Sequence, residues 1–362
     1  MFKKLIPLML TAVLVFSLAG CGCSNTSSSG SSNSTNNTST GGHAVTDAPA
    51  IGTVANTLAQ DKDALISNYS SKFQQKTYSD SSSGLSITYN LFLPEGYDAS
   101  KSYPMVVFIA DSSCTGNDAT KSLTQGRGGL VFATNEWQSV YPTIVAVPTY
   151  PETILDDHGS YTTTEYVELT KRYIDYMSSE YSVDKSRIYG TGQSMGCMTT
   201  LILASKYPDL YAACMFVDGQ WDISQLSGLQ SQRFIYFAAE DDTNAWNGAQ
   251  EVMKMFDSAG VSYGYAQWDG TWSVNDLSSN AQTLFAQNKN QNFISWKTGT
   301  IEPKSGGMGG SAPSGSGKPS GSGGPSGSGS SGETNSSSYH MASFDYAYNC
   351  VACMEWMFHQ KK

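Results

Sequence analysis

Histidine is scarce in this chain. Its 362 residues include four, His43, His158, His340 and His359, so any chemistry needing an imidazole base has four candidates. Positive charge is also short, with 21 Lys and Arg against 31 Asp and Glu, a net −10. No basic cluster lies beyond the N-terminus, which excludes nucleic acid and anionic lipid headgroups as partners of a charged protein surface. Long hydrophobic runs are missing too. The longest, Leu5 to Leu18, is too short for a comfortable transmembrane helix. The seven cysteines form no regular disulfide framework. Cys350-Val351-Ala352-Cys353 has C-x-x-C form but no second pair, and its apolar setting suits packed thiols better than a zinc or redox site. No internal repeat is present.

What the chain does have begins with an export signal. Lys3 and Lys4 precede the apolar run, which ends in Leu18-Ala19-Gly20-Cys21. That ending is similar to a bacterial lipobox, so residues 1–20 read as a lipoprotein signal peptide and Cys21 as the lipidated residue. An ordinary secretory signal is the alternative, and both place the mature protein outside the cytoplasm. Residues 21–50 are largely Ser, Asn, Thr and Gly, a composition that cannot bury enough apolar surface to offset ordering entropy. They read as a disordered tether. Residues 305–338 are rich in Gly, Ser and Pro and read as a disordered insertion.

Between these tracts strands and helices alternate. Ala55–Gln75 is a candidate helix. Ile87, Tyr89 and Leu91 alternate with polar neighbours, as in a half-buried edge strand. Met105–Ile109 and Thr143–Val147 are continuous apolar runs suited to strands covered on both faces. Tyr166, Tyr173 and Met177 mark a helix ending near Tyr181. Ala212–Val217 and Phe234–Ala238 read as strands, and Ala249–Ala259 as a helix closed by Gly260. The pattern implies an α/β fold with a mostly parallel sheet and helices on both faces.

Gly192-Gln193-Ser194-Met195-Gly196 has the form G-x-S-x-G, the nucleophile elbow of α/β-hydrolases. A buried strand, Arg187–Gly190, precedes it, and a helix from Met195 to Tyr207 follows, stopped by Pro208. A serine hydroxyl needs a base, and the base an orienting carboxylate, in the chain order Ser, Asp or Glu, His. His43 lies in the tether, His158 precedes the serine and His359 sits in a polar tail, which leaves His340. The acid belongs after the Phe234–Ala238 strand, in Glu240-Asp241-Asp242. Spacing favours Asp242 over Asp241, with Asp218 and Asp222 as outsiders. An oxyanion hole needs two backbone N–H groups: Met195 after the nucleophile, and one from Ala110-Asp111-Ser112.

From about Leu85 to Pro303, and again from His340 onward, the chain resembles the esterases related to polyhydroxybutyrate depolymerases and feruloyl esterases, a group with members labelled predicted peptidases. The resemblance rests on Tyr89-Asn90-Leu91-Phe92-Leu93-Pro94 with Gly96-Tyr97, on Tyr103-Pro104, and on Asp184-Lys185-Ser186-Arg187-Ile188-Tyr189 leading into the elbow. His340, Tyr346-Ala347-Tyr348 and Trp356-Met357-Phe358 resemble the family's histidine loop and last helix. It implies an α/β-hydrolase fold over residues 51–304 and 339–362, with Ser194 as nucleophile, His340 as base, Asp242 as orienting acid and no cofactor. The implied substrates are acyl or hydroxycinnamoyl esters, carbohydrate-linked ones among them, with the membrane reached through the lipid anchor. Where the family usually carries His-Gly, this chain has Ala110-Asp111; Ala238-Ala239 likewise replaces His-Gly, and Cys197 a glycine. The loop length is kept, so Ser112 is expected to donate the second N–H and Asp111 to face solvent. Two other readings stay open: a peptidase using the same triad, and a non-catalytic binding lipoprotein that kept the fold.

Overall fold

Two strands with no polar face fix the middle of the molecule. β3 (Tyr103–Ile109) and β4 (Ile144–Thr149) are buried along their whole length. Only a sheet packed on both sides can accommodate such runs. The computed structural model describes residues 48–55, 61–303 and 336–362. The signal peptide, Cys21, residues 21–47 of the tether and residues 305–335 of the insertion lie outside them.

The described chain opens with a short helix, α1 (Lys62–Tyr69), and two antiparallel strands, β1 (Gln74–Ser79) and β2 (Ser86–Phe92). Of the candidate helix Ala55–Gln75, residues 56–60 lie outside the described residues, Lys62–Tyr69 are helical, and the last two residues begin a strand. After β3 come α2 (Lys121–Thr124), α3 (Asn135–Val140) and β4. A small hairpin, β5 (Leu155–Asp156) with β6 (Thr162–Thr163), leads into α4 (Glu165–Glu180). Then follow β7 (Val183–Gln193), α5 (Met195–Lys206), β8 (Ala213–Val217), β9 (Phe234–Ala239) and α6 (Thr243–Ala259). β10 (Gly264–Trp268), α7 (Val274–Phe285) and β11 (Gln291–Trp296) complete the sheet, and α8 (Ser336–Ala347) and α9 (Val351–Phe358) close the chain. α8 starts at Ser336, inside the span assigned to the insertion.

Among the described residues nine strands form the main sheet, in the order β1-β2-β4-β3-β7-β8-β9-β11-β10. Pairing is parallel from β4 to β10 and antiparallel among β1, β2 and β4. Fold and topology are those of an α/β-hydrolase. β2 is not the edge strand its alternation suggested: β1, mostly exposed, covers it on the outer side.

α9 is buried at all eight positions. Phe358 stacks on Tyr189 of β7 at 4.4 Å between centroids, and the Tyr189 hydroxyl donates to the Phe358 and Gln360 carbonyls. Burying a large apolar side chain is worth about 1.5–3 kcal/mol, so this helix is a core element. Its Glu355 carboxylate accepts the Gly52 and Val54 amides at 2.6 and 2.9 Å, joining the N-terminal described segment to the last helix. Among the described residues, no helix is long and apolar enough to cross a membrane.

Candidate active site

The parallel strands end along one edge of the sheet, and their last residues carry the polar groups of interest. β7 delivers Ser194 with φ 51° and ψ −119°, a conformation that costs free energy in a residue with a β-carbon. Crowding enforces the turn. A β-carbon on Gly192 would lie 2.5 Å from the Gly196 backbone and 2.7 Å from the Ile109 carbonyl oxygen, and one on Gly196 would collide with the same oxygen. The Ser194 amide donates to the Val217 carbonyl, and its own carbonyl starts α5 by accepting from Met198.

β9 ends at Ala239 and delivers the three acids in turn. Glu240 accepts from Gln267, Ser295 and Thr298, while Asp241 accepts the Gly299 amide at 2.8 Å. Asp242 turns inward and is buried. It caps α6, accepting the Ala245 amide through Oδ1 at 3.4 Å, and its own N–H is held by the Ala239 carbonyl.

His340 lies on α8, with its ring against the edge of Phe344 at 5.0 Å. Nδ1 sits 2.5 Å from Asp242 Oδ2, and Nε2 sits 2.8 Å from Ser194 Oγ. Ser194, His340 and Asp242 therefore form one hydrogen-bonded chain, assembled from residues up to 146 positions apart. Burial disfavours the charged imidazolium. The bonded Asp242 carboxylate, with the charges of Asp218 and Asp111, outweighs that and holds the His340 pKa above the ordinary histidine value. The other described histidines are elsewhere: His158 is exposed, and His359 bonds the Pro49 carbonyl.

Asp218, an outsider as the orienting acid, has a place of its own. It follows β8 with φ 42° and is fully buried. Its Oδ1 accepts the Ala239 amide at 2.7 Å, so it braces the turn from which Asp242 emerges. Burial, then the nearby Asp242 charge, pushes its pKa up to about 7. The signal was its position at the end of the strand beside β9. Asp222 is occupied elsewhere, accepting from Ser224 and Gln225.

The loop after β3 departs from expectation. Asp111 does not face solvent; it is 2% exposed. Its Oδ1 accepts the Ser113 amide at 2.9 Å, capping a single 3-10 turn, Ser112–Cys114, and its Oδ2 accepts from Gln193 Nε2 at 3.0 Å. These two bonds offset the cost of burying the carboxylate. Gln193 immediately precedes Ser194, so a side-chain clasp links this loop to the elbow, a contact invisible in sequence because its halves are 82 residues apart. Met195 is the first residue of α5, where an N–H lacks an intrahelical acceptor. Ala110, Asp111, Cys114 and Met195 line one small cavity, which brings the two expected donor segments side by side.

Cys197 is buried behind the elbow, against the point where a β-carbon on Gly219 would fall. The five described cysteines are all buried thiols. For a metal, the described residues bring ligand atoms of Asp156, Asp157 and His158 within 4.8 Å of one another, on the surface by the β5–β6 hairpin. Asp157 already accepts from Gln220 at 2.7 Å.

Fold and elbow together define an α/β-hydrolase. The family of putative esterases matches residues 81–306, and the chain belongs to that family. It is 39% identical over 49 residues to poly(3-hydroxyalkanoate) depolymerase C of Paucimonas lemoignei, covering 14% of this chain and 12% of that protein. It is 25% identical over 126 residues to acetylxylan esterase A of Emericella nidulans, covering 28% of this chain and 41% of that one. The chain thus matches less than half the length of either relative. Among solved structures, a thermostable esterase superposes with a TM-score of 0.58 at 21% identity, over 81% of this chain and 64% of that one.

Proposed function

We propose that the protein is a serine esterase that hydrolyses carboxylic esters through an acyl-enzyme on Ser194. One observation carries this reading: the unbroken hydrogen-bonded chain from Ser194 Oγ through His340 to the buried Asp242 that caps α6. In the proposed reaction Ser194 Oγ attacks the ester carbonyl carbon as His340 Nε2 takes its proton. Asp242 fixes the tautomer and stabilises the imidazolium. The Met195 and Ser112 amides meet the developing oxyanion, and His340 returns the proton to the leaving alcohol. Water, activated by the same histidine, then releases the acid. The names of the relatives, a polyhydroxyalkanoate depolymerase and an acetylxylan esterase, support acyl esters as substrates, carbohydrate-linked ones included. Labelling with a fluorophosphonate tests the core of the proposal. Wild type should label and Ser194→Ala should not, while equal labelling of both removes Ser194 from the mechanism.

We also propose that the enzyme is held outside the cytoplasm by a lipid on Cys21, a reading supported by Lys3, Lys4, the apolar run and Leu18-Ala19-Gly20-Cys21. Metabolic labelling with a fatty acid tests it: the label should vanish in Cys21→Ala, and a protein that never takes label refutes the anchor. A second functional reading, a non-catalytic binding lipoprotein, draws on the buried Asp111 carboxylate beside the expected oxyanion donors. A peptidase reading has no such separate support; turnover of esters without peptides disposes of it.

A further inference from the structure

The C-x-x-C motif plays no part in the proposed esterase chemistry, yet its two sulfurs are neighbours. Cys350 Sγ lies 3.0 Å from Cys353 Sγ, closer than two unbonded sulfurs normally rest. Cys350 caps α9, and the Cys353 amide donates to the Cys350 carbonyl at 3.1 Å, closing a single turn between them. At the first turn of a helix, Cα atoms three residues apart lie about 5 Å from each other, within the roughly 4.4–6.8 Å a disulfide needs. Both cysteines, and Val351 and Ala352 between them, are buried. The other described thiols, Cys114, Cys197 and Cys214, are spread over separate elements.

We infer that Cys350 and Cys353 are the reduced form of an intramolecular disulfide that closes when the chain folds in an oxidising compartment. The S–S bond forms as both thiols lose their protons and two electrons pass to a disulfide oxidant, an exported thiol–disulfide oxidoreductase or a small-molecule disulfide, which leaves as the dithiol. Timing follows from the surroundings. Burial pushes the Cys353 thiol well above its ordinary pKa, which makes it a poor nucleophile once the core is closed. Exchange therefore takes place before α9 docks, and the packed core then seals the bridge. It lies at the α8–α9 corner, where the Cys350 amide is held by the Ala347 carbonyl and the Tyr348 hydroxyl meets Thr191 of β7 at 2.8 Å. It would thus fix the corner from which the helix bearing His340 departs, without touching the reacting groups.

The test is to refold the reduced, denatured full chain in a glutathione redox buffer. The product is then alkylated with N-ethylmaleimide in denaturant without reductant, and the peptide spanning Cys350 and Cys353 is weighed. It should lack two hydrogens and carry no maleimide, whereas the peptides of Cys197 and Cys214 carry one each. In native protein the bridge should resist a phosphine reductant and yield once denaturant is added. Maleimide on both cysteines, or glutathione on one, overturns the inference. Cys353→Ser should keep wild-type ester turnover and melt with reduced, not oxidised, wild type. If the variant fails to fold, oxidised and reduced wild type still decide: equal melting temperatures together with a doubly alkylated peptide refute the bridge. The outcome does not depend on whether Ser194 is the nucleophile or on where the cell sends the protein.

Discussion

The elbow after β7 and the loop after β3 are turns at the same ends of two adjacent parallel strands, yet different forces shape them. At the elbow, backbone crowding decides. Gly192 and Gly196 face the Ile109 carbonyl so closely that no side chain fits, and Ser194 is driven to positive φ. In the loop after β3 a side chain decides. Asp111 folds back onto Ser113 and reaches across to Gln193, giving the loop its shape through hydrogen bonds. Steric rules are written in residue type and spacing and can be read from a string. A hydrogen bond between distant loops has no such signature, and an acidic residue in a turn reads first as a solvated one.

The largest effect should come from the elbow. Ser194→Ala is expected to lower kcat by at least about four orders of magnitude while leaving the melting temperature near wild type, since the proposed nucleophile is lost and no core is disturbed. Asp242→Asn should cost about three to four orders of magnitude, because the amide favours the wrong histidine tautomer and no longer stabilises the imidazolium. Asp241→Asn, whose carboxylate holds the Gly299 amide instead, should stay within a few-fold. Steady-state kinetics on a nitrophenyl acetate would measure both, and a reversal would hand the role to Asp241.

The loop after β3 should respond in the opposite direction. A unit charge about 5 Å from the oxyanion at an effective dielectric near 20 opposes it by roughly 3 kcal/mol. The Ser113 and Gln193 bonds to Asp111 absorb part of that. Asp111→Asn, which removes the charge and keeps an acceptor for Ser113, should raise kcat about tenfold, or about 1.4 kcal/mol. An inert wild type beside an active variant would favour the binding lipoprotein over the esterase.

The smallest effect concerns pH. In the proposed mechanism His340 must be neutral to take the serine proton, and its pKa is raised by Asp242, Asp218 and Asp111. kcat/KM should therefore fall on acidification with a midpoint above the ordinary histidine value of about 6.5. Asp218, its own pKa pushed up to about 7, is partly ionised in that range, so Asp218→Asn should move the midpoint to lower pH by no more than a fraction of a unit. A midpoint that stays put would confine Asp218 to bracing Ala239.

Much of the sheet was legible because its central strands cannot be mistaken. β3, β4, β8 and β9 are apolar almost throughout. β11 is hidden in the sequence because Gln291 and Asn292 open it and Ser295 interrupts its apolar residues, although all three are buried. β10 is an edge strand with exposed Tyr265 and Gln267 and a short pattern. α6 begins six residues earlier than its apolar stripe suggested, since Asn244, Asn247 and Gly248 dilute the first turns while the Asp242 cap starts them. In the candidate site, Ser194, His340 and Asp242 followed from motif, scarcity and chain order. The Asp111–Gln193 clasp and the Asp218 brace did not, because each depends on which loops the sheet order makes neighbours.

The position of the histidine gives the molecule a modular character. Ser194 and Asp242 belong to the chain before residue 304, and His340 to the stretch after residue 335, whose last helix is buried at every position. The two stretches recognise each other through packing, much as two subunits do. A protein expressed as separate polypeptides, 1–303 and 336–362, should then reassemble on mixing. Ester turnover in that mixture would be the property of a heterodimer, with the proton acceptor supplied in trans by a peptide.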